Sequence, residues 1–310
     1  MKHVLIAGGA GFLGSHLAER LLKDGCEVTI VDDLSSGRET NISGIMDELE
    51  FIRSDISDLE YHKPIDIIVN FASRASRVEW ETYPVEVALS NSLGNNNLIR
   101  LALRSKALYV YASSSEVYGN PDVFPTPETY LGRVNTTGSR SPYDEGKRFG
   151  EALVKAYERE YGLKNIILRL FNTYGPRMRG GDFYGRVVDR FIQQAIHGDP
   201  ITVYGDGKQT RSFSFVSDVV EAVVILLNKG KSGEVYNIGN DAEISIIDFA
   251  SMVRRICKSS SKIEFKPIPP DDPERRAADI SKISALGFKH AVDLGNGVAM
   301  MAEYARETEN

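Results

Sequence analysis

Tyr143 and Lys147 stand four residues apart, so on a helix both side chains leave the same face. A phenol titrates near pH 10 and is a poor base at neutrality, but neighbouring positive charge favours its phenolate. A shift of ~3 units, worth roughly 4 kcal/mol, turns it into a base that takes a proton from an alcohol as hydride leaves the same carbon. Alone the spacing means little: among 14 tyrosines, about one such pair is expected by chance. It gains weight from Ser113-Ser114-Ser115-Glu116, directly after the apolar run Leu108–Ala112. Hydroxyls at the carboxyl end of a strand orient a substrate alcohol, and a carboxylate there handles a second proton. Serines after a strand are also ordinary loop formers.

A second constellation points to a dinucleotide. Gly8-Gly9-Ala10-Gly11-Phe12-Leu13-Gly14 joins a strand-like run to a helix-like one. The spacing Gly8, Gly11, Gly14 differs by one residue from G-x-G-x-x-G but serves the same purposes: a tight turn, close approach to a pyrophosphate and close helix packing. Free N–H groups at the helix start then face the phosphates, with Phe12 and Leu13 beside them. Asp32 ends the next strand, where a carboxylate accepts from an adenosine ribose and repels the extra phosphate of NADP. NAD is the cofactor expected. Asp55-Ile56, after the third strand, either flanks the adenine or is plain loop.

The elements that must carry these residues alternate. Lys2–Ala7, Glu27–Val31, Glu50–Arg53, Ile65–Phe71, Leu108–Ala112 and Asn165–Leu170 are short β-rich runs, mostly apolar throughout, as strands buried on both faces are. Leu13, Leu17 and Leu21 mark one helix. Pro84 opens a long second one, through Val85, Leu89, Leu93 and Leu101. Ser141-Pro142 opens a third, with Ser141 as its cap. The alternation predicts an α/β fold, a Rossmann-type doubly wound parallel sheet. After Phe171 glycines and prolines punctuate shorter elements. The expected division is a cofactor domain over 1–171, with return segments near 212–240, and a smaller interleaved α/β substrate domain over 172–310.

Composition narrows the class. The 310 residues are 42% hydrophobic and 26% charged, which excludes disorder, and a net charge of -6 argues against nucleic acid as partner. No apolar run approaches the roughly 18–20 residues needed to span a membrane. Cys26 and Cys257 lack metal or redox spacing, the five histidines are scattered, and no metal is expected. With Met1-Lys2-His3 leading straight into a strand, a cytoplasmic chain is expected.

Together the glycine turn, the serine segment, Tyr143-x-x-x-Lys147 and Phe171-Asn172 resemble the extended short-chain dehydrogenase/reductase family acting on nucleotide sugars, over essentially the whole chain. Within it, Ser114–Gly119, Tyr143–Arg148, Phe171–Met178, Gly185–Val188 and Asp271–Arg276 are most similar to the UDP-glucuronate decarboxylases. That resemblance implies oxidation at C4 of a UDP-sugar, loss of the C6 carboxylate and re-reduction to UDP-xylose. It implies that Ser114 orients the C4 hydroxyl, that Ser115 and Glu116 contact the ring and its C5–C6 end, and that Lys147 also holds the nicotinamide ribose. It assigns Asn172, Arg186, Tyr204, Arg211 and Arg276 to the nucleotide, the diphosphate or the carboxylate. A homodimer through 84–104 and 142–161 is also implied.

Alternatives stay open. UDP-sugar 4-epimerases share the Tyr-Lys pair but generally place a small residue where Glu116 stands. A dTDP-glucose 4,6-dehydratase needs an aspartate where this chain has Ser115. A non-catalytic NAD sensor has no use for Tyr143. Arg74 and Arg77 replace prolines usual in the decarboxylases, and Ala277-Ala278 replaces a Lys-Pro pair. Arg77 either binds a carboxylate or is simply exposed.

Overall fold

In the computed structural model, residues 1–179, 187–267 and 275–308 are described, apart from the Arg77 side chain. The chain runs through β1 (His3–Ala7), α1 (Phe12–Lys23), β2 (Glu27–Asp32), β3 (Glu50–Arg53), β4 (Ile67–Asn70), α2 (Arg77–Thr82), α3 (Pro84–Leu89), α4 (Asn95–Ser105), β5 (Leu108–Ser114), α5 (Ser141–Tyr161) and β6 (Asn165–Leu170). It continues with β7 (Thr173–Tyr174), α6 (Val187–His197), β8 (Ile201–Tyr204), β9 (Thr210–Ser212), β10 (Ser214–Phe215), α7 (Val216–Lys229), β11 (Glu234–Ile238), β12 (Glu243–Ser245), α8 (Ile246–Ile256), β13 (Ile263–Lys266), β14 (Arg275–Arg276), α9 (Ser281–Ser284) and α10 (Leu294–Thr308).

Seven of these strands form one parallel sheet in the order β11-β6-β5-β4-β1-β2-β3. The order steps outward from β1 in both directions, so the carboxyl ends of β1 and β4 flank a crevice where the winding reverses. Val4, Leu5, Ile6 and Ala7 are completely buried, as is most of β2, which is why these strands read as unbroken apolar runs. Helix α7 packs on α1, and β11 returns the chain to the main sheet beside β6. The rest of 172–310 makes small sheets: β7 with β10, β8 with β13, and β9 between β12 and β14.

Two expectations are corrected. The helix opened by Pro84 runs on to Ser105 as expected but is not uniformly α: a π-helical turn over Ser90–Gly94 joins α3 to α4. There Asn91 donates to Ser73 Oγ at 3.2 Å and accepts from Tyr111 Oη at 3.3 Å. Ser141 is the first residue of α5 rather than its cap; Arg140 holds the cap position without a side-chain capping bond, leaving its guanidinium for other work.

Candidate active site

The first turn is built as the glycines require. Gly8 has φ +74°, and a Cβ on it would lie 2.8 Å from the Ala72 nitrogen. A Cβ on Gly11 would meet a single neighbour, the Gly8 carbonyl oxygen at 3.1 Å. Gly11 is also the N-cap of α1, and no side chain caps that end. An uncapped helix start beside open space suits a pyrophosphate, so these residues fit a dinucleotide. At the end of β2 the buried Asp32 carboxylate accepts from Ala10 N at 3.0 Å and Leu34 N at 2.9 Å. Burial raises its pKa while those two bonds lower it. A carboxylate has about four acceptor sites, so two remain for ribose hydroxyls.

One cavity of about 590 Å³ runs from this turn to the second half of the chain. Gly8, Gly11, Phe12, Leu13, Gly14, Asp32, Asp55 and Ile56 line it, as do Ser114, Ser115, Glu116, Tyr143 and Lys147. Asn172, Tyr204, Arg211 and Arg276 also line it. Arg186 and the Arg77 side chain lie outside the described residues. Asn172 Nδ2 donates to the Ser212 carbonyl at 3.3 Å, Arg211 Nη1 to the Thr210 carbonyl at 2.8 Å, and the Arg190 guanidinium covers the Tyr204 ring at 4.9 Å.

At the centre, β5 and α5 bring the reactive types together. Lys147 is buried and donates to the Ala112 carbonyl at 2.8 Å; its Nζ is 5.7 Å from the Tyr143 ring centroid. Burial pulls its pKa down to about 7, with Glu151 pulling the other way. Ser114 Oγ accepts from Glu116 N at 3.3 Å, leaving its own proton to donate. Ser113 instead donates to Glu151 at 2.6 Å, and Glu151 is paired with Arg169 at 2.7 Å, which anchors the strand end.

Glu116 is gripped by two arginines. Arg276 binds it in a fork, Nη1 to Oε1 at 2.6 Å and Nη2 to Oε2 at 3.0 Å, and Arg140 Nη2 donates to Oε2. Burial pushes this carboxyl up, but the two guanidiniums outweigh it and hold the pKa at about 2. Trp80 stacks on Tyr143, and the Arg140 guanidinium lies 5.3 Å from the same indole. Nearby the buried Glu79 carboxylate is reached by Arg74 at 3.5 Å and Arg179 at 3.2 Å. Arg140 and Arg179 carry no motif in the sequence, and Glu79 and Trp80 stand out there only as part of the segment that holds Arg74 and Arg77. The only other signals were that Trp80 is the sole tryptophan and that Arg140 directly precedes Ser141-Pro142.

No group of three or more His, Cys, Asp or Glu able to hold a metal occurs among the described residues. Nor is any of their helices long and apolar enough to cross a membrane.

Residues 4–239 match the model of the NAD dependent epimerase/dehydratase family. UDP-glucuronic acid decarboxylase 1 of Xenopus tropicalis is 42% identical over 309 residues, spanning 99% of this chain and 72% of that one. UDP-glucuronic acid decarboxylase 1 of Arabidopsis thaliana is likewise 42% identical, over 96% of this chain and 68% of its own. Among solved structures, a UDP-glucuronic acid 4-epimerase from Bacillus cereus, crystallised with UDP-4-deoxy-4-fluoro-glucuronic acid and NAD, superposes with a TM-score of 0.90 at 30% identity, covering 99% of each chain.

Proposed function

The chain belongs to the NAD dependent epimerase/dehydratase family, and we propose that it decarboxylates UDP-glucuronate to UDP-xylose, using NAD. The observation that carries this reading is the Glu116–Arg140–Arg276 cluster in the wall of the cavity, beside Ser114 and Tyr143. Two guanidiniums against one carboxylate leave one positive charge, which suits a substrate carboxylate at the C6 end of the sugar.

The division of labour follows. Residues 1–171 with the return through α7 and β11 hold the cofactor, and 172–310 supply most of the nucleotide-sugar contacts. Gly8, Gly11–Gly14, Asp32, Asp55, Ile56 and Lys147 hold NAD, which supplies a hydride acceptor at C4 of the sugar and returns the hydride at the end. Tyr143 takes the C4 hydroxyl proton, and Ser114 orients that hydroxyl by donating to it. Positive charge at Lys147 favours the phenolate. A C4 ketone is β to the C6 carboxylate, so the C5–C6 bond breaks with its electron pair drawn toward O4. Arg276 and Arg140 orient the carboxylate before it leaves. Asn172, Tyr204 and Arg211 take the nucleotide and diphosphate; we extend that role to Arg186, and assign Arg77 to the substrate carboxylate.

A second reading has a specific observation behind it: the Bacillus cereus 4-epimerase takes the same uronate on a closely similar fold. Proton NMR of the protein with UDP-glucuronate and NAD separates the two. UDP-xylose or its 4-keto precursor supports decarboxylation, and UDP-galacturonate supports epimerisation.

We also propose a homodimer. Val85, Leu89 and Leu93, at four-residue intervals, and Phe149 on α5 expose between 44% and 64% of their surface, and α3 packs on α5. An apolar stripe across two neighbouring helices suits the same stripe on a second copy.

A further inference from the structure

Decarboxylation carries a proton balance that epimerisation lacks. The C5–C6 bond breaks, its electron pair enters the C5–C4–O4 enolate, and a proton must then bond to C5. The proton and hydride removed at C4 are returned there, so the C5 proton is new: one enters from water in each turnover. Glu116, held ionised by Arg276 and Arg140, does not store it.

Behind Glu116 lies a second cavity of about 160 Å³. Glu116, Arg140 and Arg276 line both cavities and so form the partition between them. On the far side the second cavity reaches the exposed residues Asn120, Arg133 and Asn135. Its inner wall includes Asp144, only 6% exposed, whose Oδ1 is buried without a hydrogen-bond partner among the described residues. Its Oδ2 lies 3.5 Å from Arg140 Nε.

We propose that Asp144 is a positioning residue for the C5 proton: it is loaded from water in the second cavity and passes the proton through Glu116 to the sugar. This rests on the decarboxylase reading. A substrate carboxylate competing for Arg140 and Arg276 loosens their hold on Glu116 and lets it accept the proton in passing. The charged groups acting on Asp144 are Glu116 after β5, Arg140 at the start of α5 and Arg276 on β14, with Arg133 at the cavity rim. Tyr143 and Lys147 on its own helix, and Glu86 on α3, line the main cavity instead. Burial and the Glu116 charge, against the two arginines, hold Asp144 up at about 7, so it keeps a proton near neutrality.

The test follows carbon dioxide release from UDP-glucuronate between pH 5.5 and 9 for the parent, Asp144→Asn and Asp144→Glu, with NAD present. The parent's kcat should fall above about pH 7. Asp144→Asn should be at least tenfold slower at pH 6.5, with KM within twofold, release more 4-keto pentose, and keep only the part of the fall above pH 7 that loss of the Lys147 charge causes. Asp144→Glu should restore both rate and profile. A parent profile without a group near 7 overturns the proposal without any variant, as does Asp144→Asn with the parent's rate and profile. If the parent makes UDP-galacturonate and no carbon dioxide, the decarboxylase reading falls, and this proposal with it. Release of carbon dioxide that ignores Asp144 overturns the proton route alone.

Discussion

Trp80 lies face to face with Tyr143, ring centroids 4.4 Å apart and planes 15° apart. With Val87 the two rings form a small buried cluster separate from the main cores, and Trp80 Nε1 donates to the Arg74 carbonyl at 3.1 Å. The indole therefore fixes the plane in which the phenol presents its oxygen. Trp80→Ala should lower kcat about tenfold, in line with the roughly 0.5–1.5 kcal/mol of an aromatic pair. Trp80→Phe should recover most of it. Equal kcat in all three proteins, measured at saturating UDP-glucuronate, would remove Trp80 from the machinery.

Burial of Lys147 ties stability to pH. Its pKa is pulled down to about 7 by burial, whereas an unfolded lysine keeps its proton to above 10. Between those values the unfolded chain binds more protons, so stability rises with pH there. Below about 7 the folded chain carries the full penalty of a buried ammonium. Lys147→Met should therefore gain Tm relative to the parent most at pH 6, by about 2–4 °C, with the gain shrinking toward pH 10. Thermal scans without NAD at both pH values check the sign.

What the sequence discloses is local. Gly8, Gly11, Gly14 and Asp32 are legible because a phosphate turn and the next strand end lie within one βαβ unit, and each demands a residue type. Tyr143 and Lys147 are legible because four residues is one helical turn. Arg140 and Trp80 are not: their meaning depends on Glu116, 24 residues from Arg140, and on the placing of α2, which lays an indole on a distant phenol. Arg276 was identified by its motif, but its fork onto Glu116, 160 residues away, exists only once β14 has paired beside β9. The π turn at Ser90–Gly94 also escapes periodicity, because one wide turn barely disturbs an apolar stripe.

The proposed role of Asp32 in the choice of NAD over NADP makes a prediction. Asp32→Asn keeps the shape and an acceptor for one of the Ala10 and Leu34 amides, which bond to different oxygens, and removes the charge that would oppose a 2′-phosphate. Calorimetric titration should show NAD binding weakened about tenfold and the preference over NADP reduced by at least as much. An unchanged ratio of the two dissociation constants would place the ribose away from Asp32.

The apolar stripe predicts assembly. Leu93 is 58% exposed on the π turn, so a charge there costs the isolated chain little. Leu93→Glu should run as a monomer in sedimentation velocity at concentrations where the parent is a dimer, with an unchanged far-UV spectrum. A parent that sediments as a monomer would refute the dimer.

Glu116→Ala tests the cluster at the centre of the site. Removing this carboxylate leaves Arg140 and Arg276 without the anion that neutralises one of their two charges. Both forks then turn to the substrate carboxylate, so the ground state is held more tightly and KM should fall. The same grip opposes departure of carbon dioxide, because charge must leave the carboxylate as the C5–C6 bond breaks. The proton bound for C5 also loses its last carrier, and without the Glu116 charge the Asp144 pKa should drop below about 7. On the proposed mechanism, oxidation at C4 draws on Tyr143, Ser114 and Lys147 rather than on the Glu116 carboxylate. Single-turnover absorbance of the reduced nicotinamide should therefore reach its parent amplitude at a rate within about threefold, while carbon dioxide release slows by about a hundredfold or more, roughly 3 kcal/mol. Equal loss of both steps would mean that Glu116 only shapes the wall.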